Sequence, residues 1–275
     1  MTSFLTFTSD ISILVALVLT FISFCVGVLG GFVGLALGTI RLPIMLLLGI
    51  DPRIAAGTNI ITSSISSFFG AVKHIKEKNV NTRIIFFMGI PATIGSFIGG
   101  LLSPYVPVNL LLISAGALVL WQGIEFIFLG FSKETKLSDA LGNKEPRLQG
   151  DFRKSNIAIE SSLGLSIGTL GGAVGLILGS IRLPAIIRIL KIDPRIAAGS
   201  NLFIGFFMGI AGVIGHSFNN HVDYMLMGLM ASAAALGSYI GANYTNKVDI
   251  NKFILILGAV LSVVGVFLVL RPLIY

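Results

Sequence analysis

Four arginines repeat in pairs within apolar surroundings: Arg41 and Arg53, then Arg182 and Arg195. Each pair lies in the same run of residues. GGFVGLALGTIRLP precedes DPRIAAGTN in residues 30 to 59, and GGAVGLILGSIRLP precedes DPRIAAGSN in residues 171 to 201. A guanidinium presents several N–H donors to an oxyanion, so a duplicated set in an apolar chain points to binding of a small anion. Asp51 and Asp193 are good N-caps, and the prolines after them suit a first helical position. Arg53 and Arg195 therefore fall in a first helical turn, where a cation opposes the helix dipole. The free N–H groups of a helix start favour an anion, and an arginine there strengthens such a site. The capping aspartate or a lipid phosphate could balance that charge instead. Thr58, Asn59, Ser200 and Asn201 follow, able to hydrogen-bond an oxyanion or to bridge helices. The candidate substrate-binding residues are Arg41, Arg53, Thr58, Asn59, Arg182, Arg195, Ser200 and Asn201.

No other chemistry is written as plainly. Cys/His metal spacing, a nucleophile elbow and a P-loop are all missing from the sequence. GGFVGLALG lacks the strand context of a dinucleotide fingerprint. The reading is a non-enzyme that uses neither a metal nor a cofactor. Glu125 and Glu160 are acids within apolar runs and so functional candidates, although neither has a counterpart in the other copy. His74 and His216 occupy matched positions and read as interfacial histidines or as groups that titrate near neutrality.

The elements that must hold these residues are membrane spans. The chain of 275 residues is 55% hydrophobic and only 11% charged, against roughly 25% charged in soluble domains. Such a chain cannot clothe a water-soluble surface. The net charge of +7 falls mainly in short loops, which favours anionic headgroups and anionic solutes over nucleic acid. Apolar runs place spans near 11–38, 53–73, 83–103, 108–131, 157–181, 195–216, 223–244 and 252–271. The second is rich in Gly, Ser, Thr and Asn and suits the protein interior.

The duplication extends past the two motifs. Arg41 matches Arg182 at an offset of 141 residues, and one extra residue then shifts the offset to 142. At that offset Asn59 matches Asn201, His74 matches His216, Gly95 matches Gly237 and Gly116 matches Gly258. The fold class is an all-α membrane protein, with eight transmembrane helices as two four-helix repeats carrying broken or re-entrant segments. The repeats are 1–131 and 157–275, joined by a polar linker at 132–156. Adjacent glycines and prolines predict the breaks at Gly30, Gly31 and Pro43, and at Gly171, Gly172 and Pro184. Pro43 is expected to take Leu42 out of helical geometry and start a short helix.

Four spans per half make the repeats parallel; a fifth crossing at the Gly-rich break would invert them. With four, the 73–83 loop, the linker and Arg271 share one side and hold 11 of the 19 lysines and arginines. If the motif arginines are at membrane depth, the positive-inside rule puts both termini and the linker in the cytoplasm.

The paired Gly-rich segment, the proline, the apolar stretch and Asp-Pro-Arg-x-Ala-Ala-Gly-Thr/Ser-Asn resemble the sulfite exporter TauE/SafE family, also called the toluene sulfonate uptake permease family. The resemblance covers both halves outside the linker. It implies a multipass membrane transporter of seven or eight helices, with sulfite, sulfonates or related organosulfur anions as substrates. The matched positions are Gly30, Gly31, Pro43, Ala56, Gly57 and Thr58, with Gly171, Gly172, Pro184, Ala198, Gly199 and Ser200. Arg41 and Arg182 lie outside that carried-over set. The expected function is secondary transport of a small anion across the cell membrane, with a channel-like anion pore as the alternative. The expected partners are the anionic solute and the lipid bilayer, with no nucleic acid; two copies could pair as a homodimer.

Overall fold

Backbone polar groups in lipid must be satisfied internally, and this sequence meets that demand with helices. The structure, a computed structural model, describes residues 8–33, 37–131, 156–190, 192–244 and 250–274. The first half holds α1 (Ile13–Val33), α2 (Gly38–Leu47) and α3 (Pro52–Lys76). It continues with α4 (Thr82–Ile84), which runs through a π-helical turn at Ile85–Gly89 into α5 (Ile90–Leu102), and ends with α6 (Val108–Phe131). The second half holds α7 (Asn156–Val174), α8 (Gly179–Pro184) with a π-helical turn at Ala185–Ile189, α9 (Pro194–Ser217), α10 (Tyr224–Tyr244) and α11 (Ile250–Ile274). No strand occurs among the described residues. Seven helical segments among them are long and apolar enough to cross a membrane. The chain is a multi-pass, all-helical membrane protein. α3 has the length of a span at 25 residues, but its Thr62, Ser63, Ser64, Ser66 and Ser67 are buried and polar. The expected linker lies outside the described residues except for Asn156.

Small residues set the packing. Gly164, Gly168 and Gly172 recur every four residues on α7 and meet the backbone of Met88, Ala92 and Ser96, so α5 and α7 are parallel and in close contact. Gly27 meets Ala234 and Gly241 meets Val28, so α1 and α10 are parallel as well. In contrast, α3 and α9 are antiparallel: Gly57 meets His216, Gly209 meets Ser64, and Gly199 meets His74. α6 and α11 are also antiparallel, with Gly116 against Val269 and Gly258 against Ile127.

These directions fix how often the chain crosses. α3 is parallel to α10, because Thr58 bonds the Asp223 amide and Ser66 bonds Ser238. α1 and α3 therefore point the same way, and the chain must return between them. α2 belongs to the return leg and runs against α3: Gly38 lies beside Ser63, while Leu46 shares a small apolar void with Pro52. Helices matched by the sequence offset, α3 with α9 and α6 with α11, thus point in opposite directions. Of the two arrangements the sequence leaves open, parallel and inverted halves, these directions accord with the second. The sequence leaves this leg open because α2, at 10 residues, is too short to count as a span.

The same leg sets the described chain ends apart from the linker-flanking helix ends, which the sequence reading puts on one side. The helix ends flanking the linker stand at the end of the bundle that carries His74 and Asn79. Ser9 bonds Asp223 and Arg271 bonds the Leu46 carbonyl at the opposite end. The described chain ends, 8 and 274, therefore share an end of the bundle that the helix ends flanking the linker, Phe131 and Asn156, do not.

The expected breaks are displaced too. Gly30 and Gly31 lie within α1, and Gly171 and Gly172 within α7. Gly172 gains close contact with the Ser96 backbone, which offsets the roughly 1 kcal/mol helix penalty of glycine. In the second half the interruption comes next, at 175–178. Gly175 there has φ +79° and Leu178 φ +48°, left-handed geometry that ends a helix. Pro43 lies inside α2, with Leu42 helical. Pro184 closes α8 just before its π-helical turn. Both half-helices begin several residues before the prolines, at Gly38 and Gly179.

Candidate functional site

The two half-helices bring Arg41 and Arg182 into the protein interior, and both are 0% exposed. Arg41 Nη2 donates to Ser63 Oγ at 2.8 Å. Ser63 lies eleven positions after Pro52, which places this contact roughly 16 Å along α3 from its start, near mid-span. Asn59 Nδ2 donates to the Gly38 carbonyl at 3.1 Å, fixing the start of α2 against α3. It also donates to the Gly175 carbonyl at 2.9 Å, reaching the break of the second half. In the second half, Asn201 Nδ2 donates to the Gly179 carbonyl at 3.2 Å. Arg182 Nε donates to Asn201 Oδ1 at 2.8 Å and Nη2 to the Asn201 carbonyl at 2.7 Å. Its Nη1 meets Met208 Sδ.

A row on α3 joins the two arginines. Asn59, Ser63 and Ser67 recur at four-residue spacing and share one helix face. A Cβ on Gly205 of α9 would lie 3.2 Å from Ser67 Oγ and 3.4 Å from Arg182 Nη2, so both groups border that glycine. One turn of α3, about 6 Å, separates the serine at Arg41 from the serine near Arg182. Ser63, Ser67, Thr39 and Met208 were absent from the sequence-based set. For the two serines the signal was the hydroxyl-rich TSSISS stretch inside a membrane-length helix; Thr39 and Met208 carried none.

Among the described residues neither Arg41 nor Arg182 has a carboxylate partner; the ion pair found there is Arg83–Glu160 at 3.5 Å. Removing a charge from water costs on the order of several kcal/mol unless it is compensated. Hydrogen bonds compensate Arg182 at all three nitrogens. At Arg41, Nε and Nη1 are buried without a partner, as are Thr39 Oγ1 and Asn59 Oδ1. This region can accept negative charge that the chain itself does not supply.

The remaining candidates lie elsewhere. Arg53 is at the helix start, where Asp51 Oδ1 accepts from its amide at 2.8 Å, as a cap should. Its Nη2 donates to the Pro104 and Val106 carbonyls at 3.0 and 3.3 Å, holding the α5–α6 turn at the termini end. Arg195 opens α9 at the opposite end, and its side chain lies outside the described residues. Arg41 and Arg182 thus sit deep while Arg53 does not join them. Thr58 Oγ1 accepts from the Asp223 amide at 3.0 Å, and Ser200 Oγ accepts from the Asn81 amide at 2.9 Å. Each hydroxyl fastens a turn in the other half.

The other titratable groups have local roles. His216 Nε2 donates to the Gly172 carbonyl at 2.8 Å, and His216 is buried beneath Gly57. His74 packs in the matching place against Gly199. Glu160 is buried with Arg83 near the start of α7, and Glu125 is half-buried in α6. In the α9–α10 turn, burial holds the His221 imidazole below its ordinary range; Arg53 lowers it further and Asp51 opposes both.

Comparison with known proteins identifies the family. The profile of the family described as sulfite exporter TauE/SafE matches residues 19–268. The probable membrane transporter protein YunE of Bacillus subtilis (strain 168) is 25% identical, over 90% of this chain and 95% of its own. YdhB of the same organism, also named a probable membrane transporter protein, is 26% identical over 90% of this chain and 98% of its own. MJ0441 of Methanocaldococcus jannaschii, likewise named, is 24% identical over 92% and 94%. No solved structure gives a significant match. With a family profile spanning nearly the whole chain and relatives matched end to end, this chain belongs to the sulfite exporter TauE/SafE family of membrane transporters.

Proposed function

We propose that the chain is a secondary transporter, not an enzyme, that carries a small anion across the cell membrane. The substrate class is sulfite, a sulfonate or a related organosulfur anion. One observation carries the reading: two fully buried guanidinium groups near mid-span have no carboxylate partner among the described residues. A bound anion is the missing charge. It would enter beside the Asn59–Ser63–Ser67 row, between the half-helices α2 and α8.

The architecture proposed is eight full-length spans in two repeats, 1–131 and 157–275, with α3 as the polar eighth and a short return leg through α2 or α8 as the fifth crossing of each half. The antiparallel pairing of matched helices supports inverted repeats, the arrangement in which one half rocks against the other around a central site. Arg53, Thr58 and Ser200 then act on the turns and helix starts that move, rather than at the anion. The linker end carries Lys76, Lys78 and Arg83 among the described residues, and the linker sequence adds six more lysines and arginines. Arg53 and Arg271 are the described cations at the termini end. By the positive-inside rule the linker end faces the cytoplasm and both termini face outward.

The test is uptake of labelled sulfite and of a small sulfonate by the purified protein in liposomes. Arg41→Gln and Arg182→Gln are each expected to lower uptake at least tenfold. Undiminished uptake in both variants overturns the proposal.

A further inference from the structure

We infer that the two buried arginines are unequal: Arg41 contacts the anion, whereas Arg182 is a positioning residue that holds the second half in shape. This rests on the anion-transport reading above and assigns the roles within that site.

The halves carry the same arginine and asparagine but spend them differently. Asn201 and Asn59 are placed alike, each donating from Nδ2 to the carbonyl that opens its half-helix, Gly179 or Gly38. That bond fixes which amide atom is the oxygen. Oδ1 of Asn201 accepts from Arg182 Nε, and the arginine forks onto the Asn201 backbone as well. The matching atoms in the first half, Arg41 Nε and Asn59 Oδ1, are both buried and both unpartnered. A native interior rarely leaves a charged donor unmade; an anion beside Arg41 accepts from Nε and Nη1, whereas Asn59 Oδ1, itself an acceptor, can bond only a protonated ligand oxygen.

The difference is encoded in sequence. Arg41 is drawn to Ser63 Oγ, and the position that matches Ser63 in the second half is Gly205. With no hydroxyl there, Arg182 bonds Asn201 and Met208 and has a partner at each of its three nitrogens. Ser63 holds Arg41 off Asn59 and keeps Nε and Nη1 open. Thr39 Oγ1 is a further buried, unpartnered group in the same first turn of α2, a turn that no side chain caps. Helix N–H groups, a hydroxyl and an arginine edge together fit a small oxyanion.

Thermal unfolding of the purified, full-length protein in detergent separates the roles, measured with and without sulfite and with a small sulfonate. In wild type the anion raises the melting temperature with concentration. Arg41→Gln should abolish that rise while leaving the anion-free melting temperature unchanged or higher, because an uncompensated buried charge is gone. Arg182→Gln should lower the anion-free melting temperature and leave the anion-induced rise in place. Ser63→Ala, a milder change, should let Arg41 close onto Asn59: anion affinity falls about tenfold, the scale of one charge-assisted bond, and the anion-free protein becomes more stable. Loss of the anion response in Arg182→Gln with retention in Arg41→Gln overturns the assignment, as does equal loss in both. If no anion shifts the wild type, the transport reading itself fails.

Discussion

Asn59 and Gly175 tie the two halves together: the Asn59 amide donates to the Gly175 carbonyl at 2.9 Å, linking the polar row of α3 to the interruption between α7 and α8. The glycine is doubly constrained. Its φ is +79°, and a Cβ would overlap the Ala56 backbone. The chain reverses here because the residue has no side chain, and the reversal presents its carbonyl to Asn59.

Gly175→Ala is therefore expected to destabilise the protein by about 2–4 kcal/mol, combining left-handed strain with overpacking. Denaturant unfolding in detergent measures it. Gly49→Ala is the control: its φ is +86°, but no atom crowds a Cβ there, so only about 1–2 kcal/mol of strain applies. Equal losses at the two positions would remove the packing half of the argument.

The cross-half hydroxyls make a second, graded prediction. Thr58→Val strands the Asp223 amide, and Ser200→Ala strands the Asn81 amide. A stranded donor costs about 1–3 kcal/mol when fully buried. Thr58 and Asp223 are both buried, whereas Asn81 is only half-buried. Thr58→Val should therefore be the more destabilising change, by about 1 kcal/mol. The same unfolding measurement decides it; a larger loss in Ser200→Ala would contradict the role of burial.

How far the sequence discloses this arrangement depends on the size of each signal. The duplicated motif and the helical class could be read directly, because a repeated charge pattern in an apolar chain is conspicuous; which of the four motif arginines lie deep could not. Direction could not. α2 is a half-helix below span length, and whether it adds a crossing decides parallel against inverted halves. The break could not be placed either, because Gly171 and Gly172 serve close packing and the true interruption follows at Gly175. Ser63 and Ser67 were hidden among equivalent hydroxyls until α2 and α9 were laid against them.

Sidedness gives a third prediction. Alkaline phosphatase fused after Tyr275 should be active and green fluorescent protein at that position dark, since the first needs the outside and the second the cytoplasm. Fusions within 132–156 should give the reverse pattern. Identical reporter activity at the C-terminus and the linker would contradict the antiparallel pairing of α6 with α11, which sets those two points at opposite ends.

The last prediction concerns acid. His221 lies in the α9–α10 turn with Arg53 and Asp51 acting on it. Burial is the largest influence and disfavours the charged imidazolium; Arg53 adds repulsion, and Asp51 only partly offsets them. The folded imidazole therefore titrates below its unfolded value of about 6.5. A group depressed in this way contributes stability that is fully present above the unfolded value and is lost as pH falls toward the folded one. Acidifying from about pH 7 to about pH 5 should lower the melting temperature of wild type more than that of His221→Gln. Arg53→Gln removes one source of repulsion and should shrink the acid sensitivity without abolishing it, because desolvation remains. An acid response unchanged in His221→Gln would assign the effect to another group. A response that grows in Arg53→Gln would mean that the arginine favours the imidazolium, opposite in sign to like-charge repulsion across the termini end of the bundle.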